Sequence, residues 1–183
     1  MKLIEILPDE QNILISLAYA SHRNFTEKKI YQKDKAYLRK EAYLALNKTI
    51  NIADKMGFKI KIFDAFRPVE AQKKMWEFNP DPKYIADPKK GSPHSRGVAI
   101  DLTLCTQDNV ELDMGTPFDS FSQKSHHDHM DFNYEILHNR SILLGIMTLS
   151  GWDFYNNEWW HYQLHNPRKY PLLSDKAAGT NLL

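Results

Sequence analysis

The run Ser92-Pro93-His94-Ser95-Arg96-Gly97-Val98-Ala99-Ile100-Asp101 constrains this chain more than any other stretch. From Gly97 onward the residues alternate. Val98, Ile100, Leu102 and Leu104 fall on one side and Ala99, Asp101 and Thr103 on the other, the period of a half-buried strand. Asp101 then faces away from the aliphatic row, toward whatever His94 approaches from the preceding loop. A His and an Asp converging from a loop and its adjoining strand make two-thirds of a divalent-metal site. The third ligand must come from elsewhere in the chain.

The 183 residues suffice for one domain with a core of its own. With 42% hydrophobic and 26% charged residues the composition is that of an ordinary globular chain. A formal charge of +1 gives no electrostatic reason to expect nucleic acid or an acidic membrane surface as partner. The one cysteine, Cys105, cannot form an internal disulfide and reads as a small buried hydrophobe at a strand end, which favours a cytoplasmic setting. No stretch is long and apolar enough to cross a membrane. Residues 1–10 carry Glu5, Pro8, Asp9 and Glu10 where a signal peptide would have an unbroken apolar core. The sequence sets no oligomeric state.

Along the chain, Asp9 is placed to cap a short helix bearing Ile13, Leu14, Leu17 and Ala18. A longer helix is expected over residues 35–56, with Leu38, Ala42, Ala45, Leu46, Thr49, Ala53 and Met56 inward and Gly57 ending it. Residues 58–63 alternate as a strand that runs into Asp64. Pro68 suits the first turn of a helix burying Ala71, Met75 and Phe78. Residues 79–91 read as an exposed connection and 109–128 as irregular. A last helix over residues 133–150 buries Ile136, Leu137, Leu143, Leu144 and Met147 before Gly151. A hairpin then turns at Asn156-Asn157, and the tail reads as polar and frayed. The expectation is one α+β domain.

Glu158-Trp159-Trp160-His161 is the second informative run. His161 is the natural third ligand, completing two His and one Asp with a position left for water, the pattern of a catalytic zinc site. Glu158 is placed to act as general base for such a water. On a regular strand Glu158 and His161 would point to opposite faces, so the backbone over 156–159 must depart from strand geometry. Arg67, at the end of its strand, reads as a cation for the oxyanion of a tetrahedral intermediate. His126, His127 and His129 read as a solvated loop, and the tryptophan pair as packing. Two His and a carboxylate also suit non-heme iron, but that reading leaves Glu158 and Arg67 without a role.

With these residues in hand, the chain resembles the D-alanyl-D-alanine dipeptidases of the vancomycin-resistance type. These zinc peptidases share a fold with DD-carboxypeptidases and the hedgehog amino-terminal domain. The resemblance runs from Tyr19 to Tyr162 and is carried by residues 94–104 and Glu158-Trp159-Trp160-His161-Tyr162. Asp64-Ala65-Phe66-Arg67-Pro68, Met114-Gly115-Thr116-Pro117-Phe118-Asp119 and Ser125-His126-His127 add to it. It implies a small central antiparallel or mixed sheet flanked by helices, with one catalytic Zn2+ held at the sheet by His94, Asp101 and His161. It further implies Glu158 as base, Arg67 as transition-state stabiliser, Asp119 and Tyr19 at the substrate's ammonium, and Ser92 at its carboxylate. The implied substrate is a small D,D-dipeptide. Pro93 departs from the family, where serine stands. Alternatives are a carboxypeptidase acting on peptidoglycan stems and a non-catalytic zinc-binding module.

Overall fold

In the computed structural model, residues 3–9 and 12–183 are described. Met1, Lys2, Glu10 and Gln11 lie outside them, and so do the expectations resting on those residues. The elements, in order, are β1 (Ile4–Ile6), β2 (Ile13–Ile15), β3 (Ala36–Leu38), α1 (Lys40–Lys55), β4 (Lys59–Asp64) and α2 (Val69–Phe78). They continue as β5 (Ala99–Cys105), α3 (Tyr134–Leu149), β6 (Trp152–Phe154), β7 (His161–Leu164) and α4 (Asp175–Ala178). A five-stranded sheet in the order β2-β4-β5-β7-β6 forms the centre, and β1 and β3 make a separate two-stranded ribbon. The pair β2–β4 is parallel and the rest of the main sheet antiparallel, so the sheet is mixed. Helices α1 and α3 contact each other, and they pack on β4 and β6 respectively.

The strand with the alternating aliphatic row is the middle one. Every residue of β5 is buried, not every second one. A central strand covered on both faces hides its polar side as well, so Asp101 and Thr103 lie inside the protein. Cys105 is fully buried at the strand's end, and burial pushes its thiol up to about 11.

Helix α1 keeps the inward stripe Ala42, Ala45, Leu46, Thr49 and Ala53, and Gly57 follows at φ +79. Its start differs from the sequence expectation, because residues 36–38 pair with β1 as strand β3. Met56 is exposed, as is Phe78 at the end of α2. Helix α3 matches in its bounds: the Asn133 side chain accepts from the Ile136 N–H at its start, and Gly151 follows its end at φ +96. Of the expected inward row, Ile136, Leu143 and Met147 are buried and Leu137 and Leu144 are half-buried.

Two further expectations about the fold are overturned. Residues 13–15 are strand β2, not helix: the apolar spacing there served either element, and parallel pairing with Ile60 and Ile62 of β4 decides it. The tail is docked rather than frayed. Leu173 and Leu182 are buried with Leu3 and Phe66, and the Asp175 carboxylate accepts from Thr180 Oγ1 and from the N–H groups of Leu182 and Leu183.

Candidate active site

Strand register sets the first elements of the site. Asp101 lies opposite Asp64 of β4 on one side and opposite His161 of β7 on the other. His94 arrives from the short 3-10 turn His94–Arg96, which closes at Gly97 with φ +68. A Cβ at Gly97 would meet Leu3 Cδ2 at 3.1 Å and Arg39 Cγ at 3.3 Å, so both the backbone conformation and the space call for glycine. Arg39 braces this turn: its N–H donates to Gly97 O at 2.8 Å and its Nε donates to Arg96 O.

Three ligand-type atoms meet here. His94 Nε2 is 3.0 Å from His161 Nδ1 and 3.2 Å from Asp101 Oδ1, and His161 Nδ1 is 3.1 Å from that same oxygen. Among the described residues, this is the group of His, Cys, Asp and Glu whose ligand atoms stand close enough to share an ion. The donor chemistry fits a metal. His94 Nδ1 donates to the Ala65 carbonyl at 2.7 Å, which fixes the proton there and turns the Nε2 lone pair inward. Burial alone would raise the Asp101 carboxyl, but the two imidazoles outweigh it and hold the group well below the usual carboxylate range. An anionic oxygen and two imidazole nitrogens converging at 3.0–3.2 Å form a donor set that a divalent cation satisfies together. Three such donors, with no thiolate among them, match an open site rather than a closed structural one.

Glu158 stands beside the trio, its Oε2 3.9 Å from His161 Nδ1. Residues 155–160 form a turn before β7, which is how Glu158 shares a side with His161 despite the spacing. Burial pushes the Glu158 carboxyl up to about 7. Arg67 is locked in place: Nε donates to Asp64 Oδ2 at 2.8 Å, Nη2 is ion-paired with that same oxygen at 2.8 Å, and Nη1 donates to Gln72 Oε1 at 3.0 Å. The second carboxylate oxygen of Asp64, Oδ1, accepts from Tyr31 Oη and the Ala65 N–H. The Arg67 guanidinium also lies 5.1 Å from the centre of the Tyr19 ring and 3.6 Å from Asp101 Oδ2.

Tyr19 donates its hydroxyl to both oxygens of Asp119, at 2.9 and 3.1 Å. Asp119 holds a left-handed backbone, φ 60, and burial followed by the charge of Asp101 raises its carboxyl well above the usual range. Ser92 is buried, and its Oγ accepts from the His94 N–H at 3.2 Å. Pro93 occupies the N-cap of the His94 turn, where its carbonyl accepts from Arg96 and Val98. All eight residues singled out from the sequence (Tyr19, Arg67, Ser92, His94, Asp101, Asp119, Glu158 and His161) line one cavity of about 240 Å3.

Sequence reasoning missed the groups that hold these residues. Asp64 carried a signal, since it sits three positions before Arg67 at a strand end. Gln72 carried none: it bridges Arg67 to the Ala86 carbonyl, donating to it at 2.8 Å. Residues 79–91 are not merely an exposed connection, because Ile85 is buried and Tyr84 lines the cavity. The histidine run is not a solvated loop either. The His127 ring packs edge-on to Phe154 and Tyr162, and burial pulls its pKa down to about 4.

A family model described as D-ala-D-ala dipeptidase, of the peptidase M15 group, matches residues 1–175 of this chain. The chain belongs to that family. It is 43% identical to the D-alanyl-D-alanine dipeptidase of Escherichia coli K12, over 94% of this chain and 88% of that protein. The D-alanyl-D-alanine dipeptidase of Enterococcus faecium is 33% identical over 84% of this chain and 86% of its own. The solved LdcB LD-carboxypeptidase shares the fold, with a TM-score of 0.50, 19% identity and coverage of 96% of this chain and 70% of that one. The mixed sheet flanked by helices is therefore the family's fold, and in this chain Asp101 and His161 lie on adjacent central strands with His94 on the turn that leads into β5.

Proposed function

We propose that residues 1–183 act as a single zinc D,D-dipeptidase domain that hydrolyses D-alanyl-D-alanine to two molecules of D-alanine. The observation that carries this reading is the meeting of Glu158, Arg67 and the His94–Asp101–His161 trio in one cavity. His94, Asp101 and His161 would hold a zinc ion, which would supply Lewis acidity toward the substrate carbonyl and toward water. Glu158 accepts the proton of the attacking water and delivers it to the leaving amine. Arg67, always charged and pinned by Asp64 and Gln72, stabilises the oxyanion as it develops, without reorganising at that moment. Asp119, backed by Tyr19, receives the substrate's ammonium, and Ser92 receives its carboxylate. The burial that raises Asp119 is offset once an ammonium sits beside it.

A site with a carboxylate waiting for a free ammonium selects dipeptides over blocked or longer peptides, which argues against a stem-peptide carboxypeptidase. A non-catalytic zinc module leaves the buried Glu158 and Arg67 without a purpose. In an assay of free against N-acetylated D-Ala-D-Ala, the native protein is expected to prefer the free form. Asp119→Asn is expected to lose about a hundredfold of that preference, the scale of a buried charge pair broken on one side. An Asp119→Asn protein that still prefers free dipeptides overturns the assignment.

The remaining parts of the proposal concern setting. The partner is the small dipeptide, with no nucleic acid and no membrane, in keeping with the net charge of +1. No helix among the described residues is long and apolar enough to cross a membrane. A cytoplasmic location suits the single cysteine.

A further inference from the structure

The two imidazoles of the trio are oriented by partners of different kinds. For His94 the partner is the Ala65 main-chain carbonyl, which no substitution can remove. For His161 it is a side chain: the ring's Nε2 lies 3.2 Å from Gln163 Oε1. An amide oxygen only accepts, so Nε2 holds the proton and Nδ1 presents its lone pair toward Asp101 and His94 Nε2. Gln163 can do this because β7 runs regularly beyond the Glu158 turn. Residues 161 and 163 then project to the same face, two positions apart. The register pins Gln163 from both sides, opposite Ala99 of β5 and Asp153 of β6. It is half-buried, and it reaches the same cavity.

We infer that Gln163 is a positioning residue for the metal: by accepting from His161 Nε2 it selects the tautomer that turns Nδ1 to the ion, making position 163 the adjustable determinant of zinc affinity at this site. The inference rests on the ligand trio proposed above. Without an acceptor at 163, the neutral ring is free to carry its proton on Nδ1 and donate it to Asp101 Oδ1, 3.1 Å away, which closes the ligand position with a hydrogen bond. Binding an ion then requires the proton to move first. Such orienting partners of a metal-bound histidine are worth about 10- to 100-fold in affinity.

The test measures zinc affinity directly, by competition with a chromophoric chelator, on the native protein and on Gln163→Leu and Gln163→Glu. The native protein is expected to bind one equivalent. Gln163→Leu, close in size but without an acceptor, is expected to bind about 10- to 100-fold more weakly, and its turnover is expected to recover when zinc is saturating. Gln163→Glu restores an acceptor and is expected to bind at least as tightly as the native protein. Native affinity in Gln163→Leu, or equal weakening in both variants, overturns the inference. Failure of the native protein to bind zinc overturns instead the ligand assignment on which it rests. Unchanged far-UV circular dichroism and thermal midpoint of the metal-free variants separate loss of orientation from loss of fold.

Discussion

Glu158→Gln is expected to lower kcat for D-Ala-D-Ala by about 10³-fold, within the range that a positioned general base contributes, while metal content stays at one equivalent. Glutamine fills the same space beside His161 but cannot take a proton from water. The native carboxyl also predicts a pH dependence. Burial pushes it up to about 7 in the metal-free protein, and only the ionised form is a base. A cation in the trio favours that ionised form and draws the value down. The acid limb of kcat/KM is therefore expected at or below pH 7, with activity lost as pH falls through it. A Glu158→Gln enzyme with native turnover, or an acid limb well above 7, contradicts the role given to this residue.

Arg67 carries the second large effect, and it divides between catalysis and stability. Arg67→Lys keeps a charge but cannot reproduce the fork that spans Asp64 Oδ2 and Gln72 Oε1. Its kcat is expected to fall by about 10²- to 10³-fold, the cost of a misplaced oxyanion donor. Arg67→Ala goes further, because it leaves the fully buried Asp64 without its cation. Breaking a buried pair from one side costs about 3–5 kcal/mol, to be read as a lowered midpoint in urea unfolding. Native turnover in the lysine variant argues against a transition-state role. Native stability in the alanine variant argues that Asp64 finds another partner.

The residues proposed to do the chemistry were legible in the sequence because their types are rare in combination and their spacing is local. Alternation from Gly97 to Leu104 announced a strand, and the conflict between Glu158 and His161 on a regular strand announced the turn that the fold contains. What stayed hidden depends on pairing across the chain. Residues 13–15 became a strand only through β4, and residues 36–38 left the helix only through β1. The supports of the site were hidden for the same reason. Nothing local marks Gln72 as the link between Arg67 and Ala86, or Gln163 as the partner of His161. A glutamine has meaning in such a site only once its neighbours across the sheet and the cavity are known. The tail misled by composition: Asp175 and Thr180 look solvated in sequence but bond to each other over the buried Leu182.

The most direct test of the account is to incubate the purified protein with D-Ala-D-Ala and quantify released D-alanine, as prepared, after treatment with a chelator, and after zinc is restored. Release of two D-alanines per dipeptide is expected, with its loss on metal removal and its return with zinc. No release from protein shown to carry a full equivalent of zinc would contradict it.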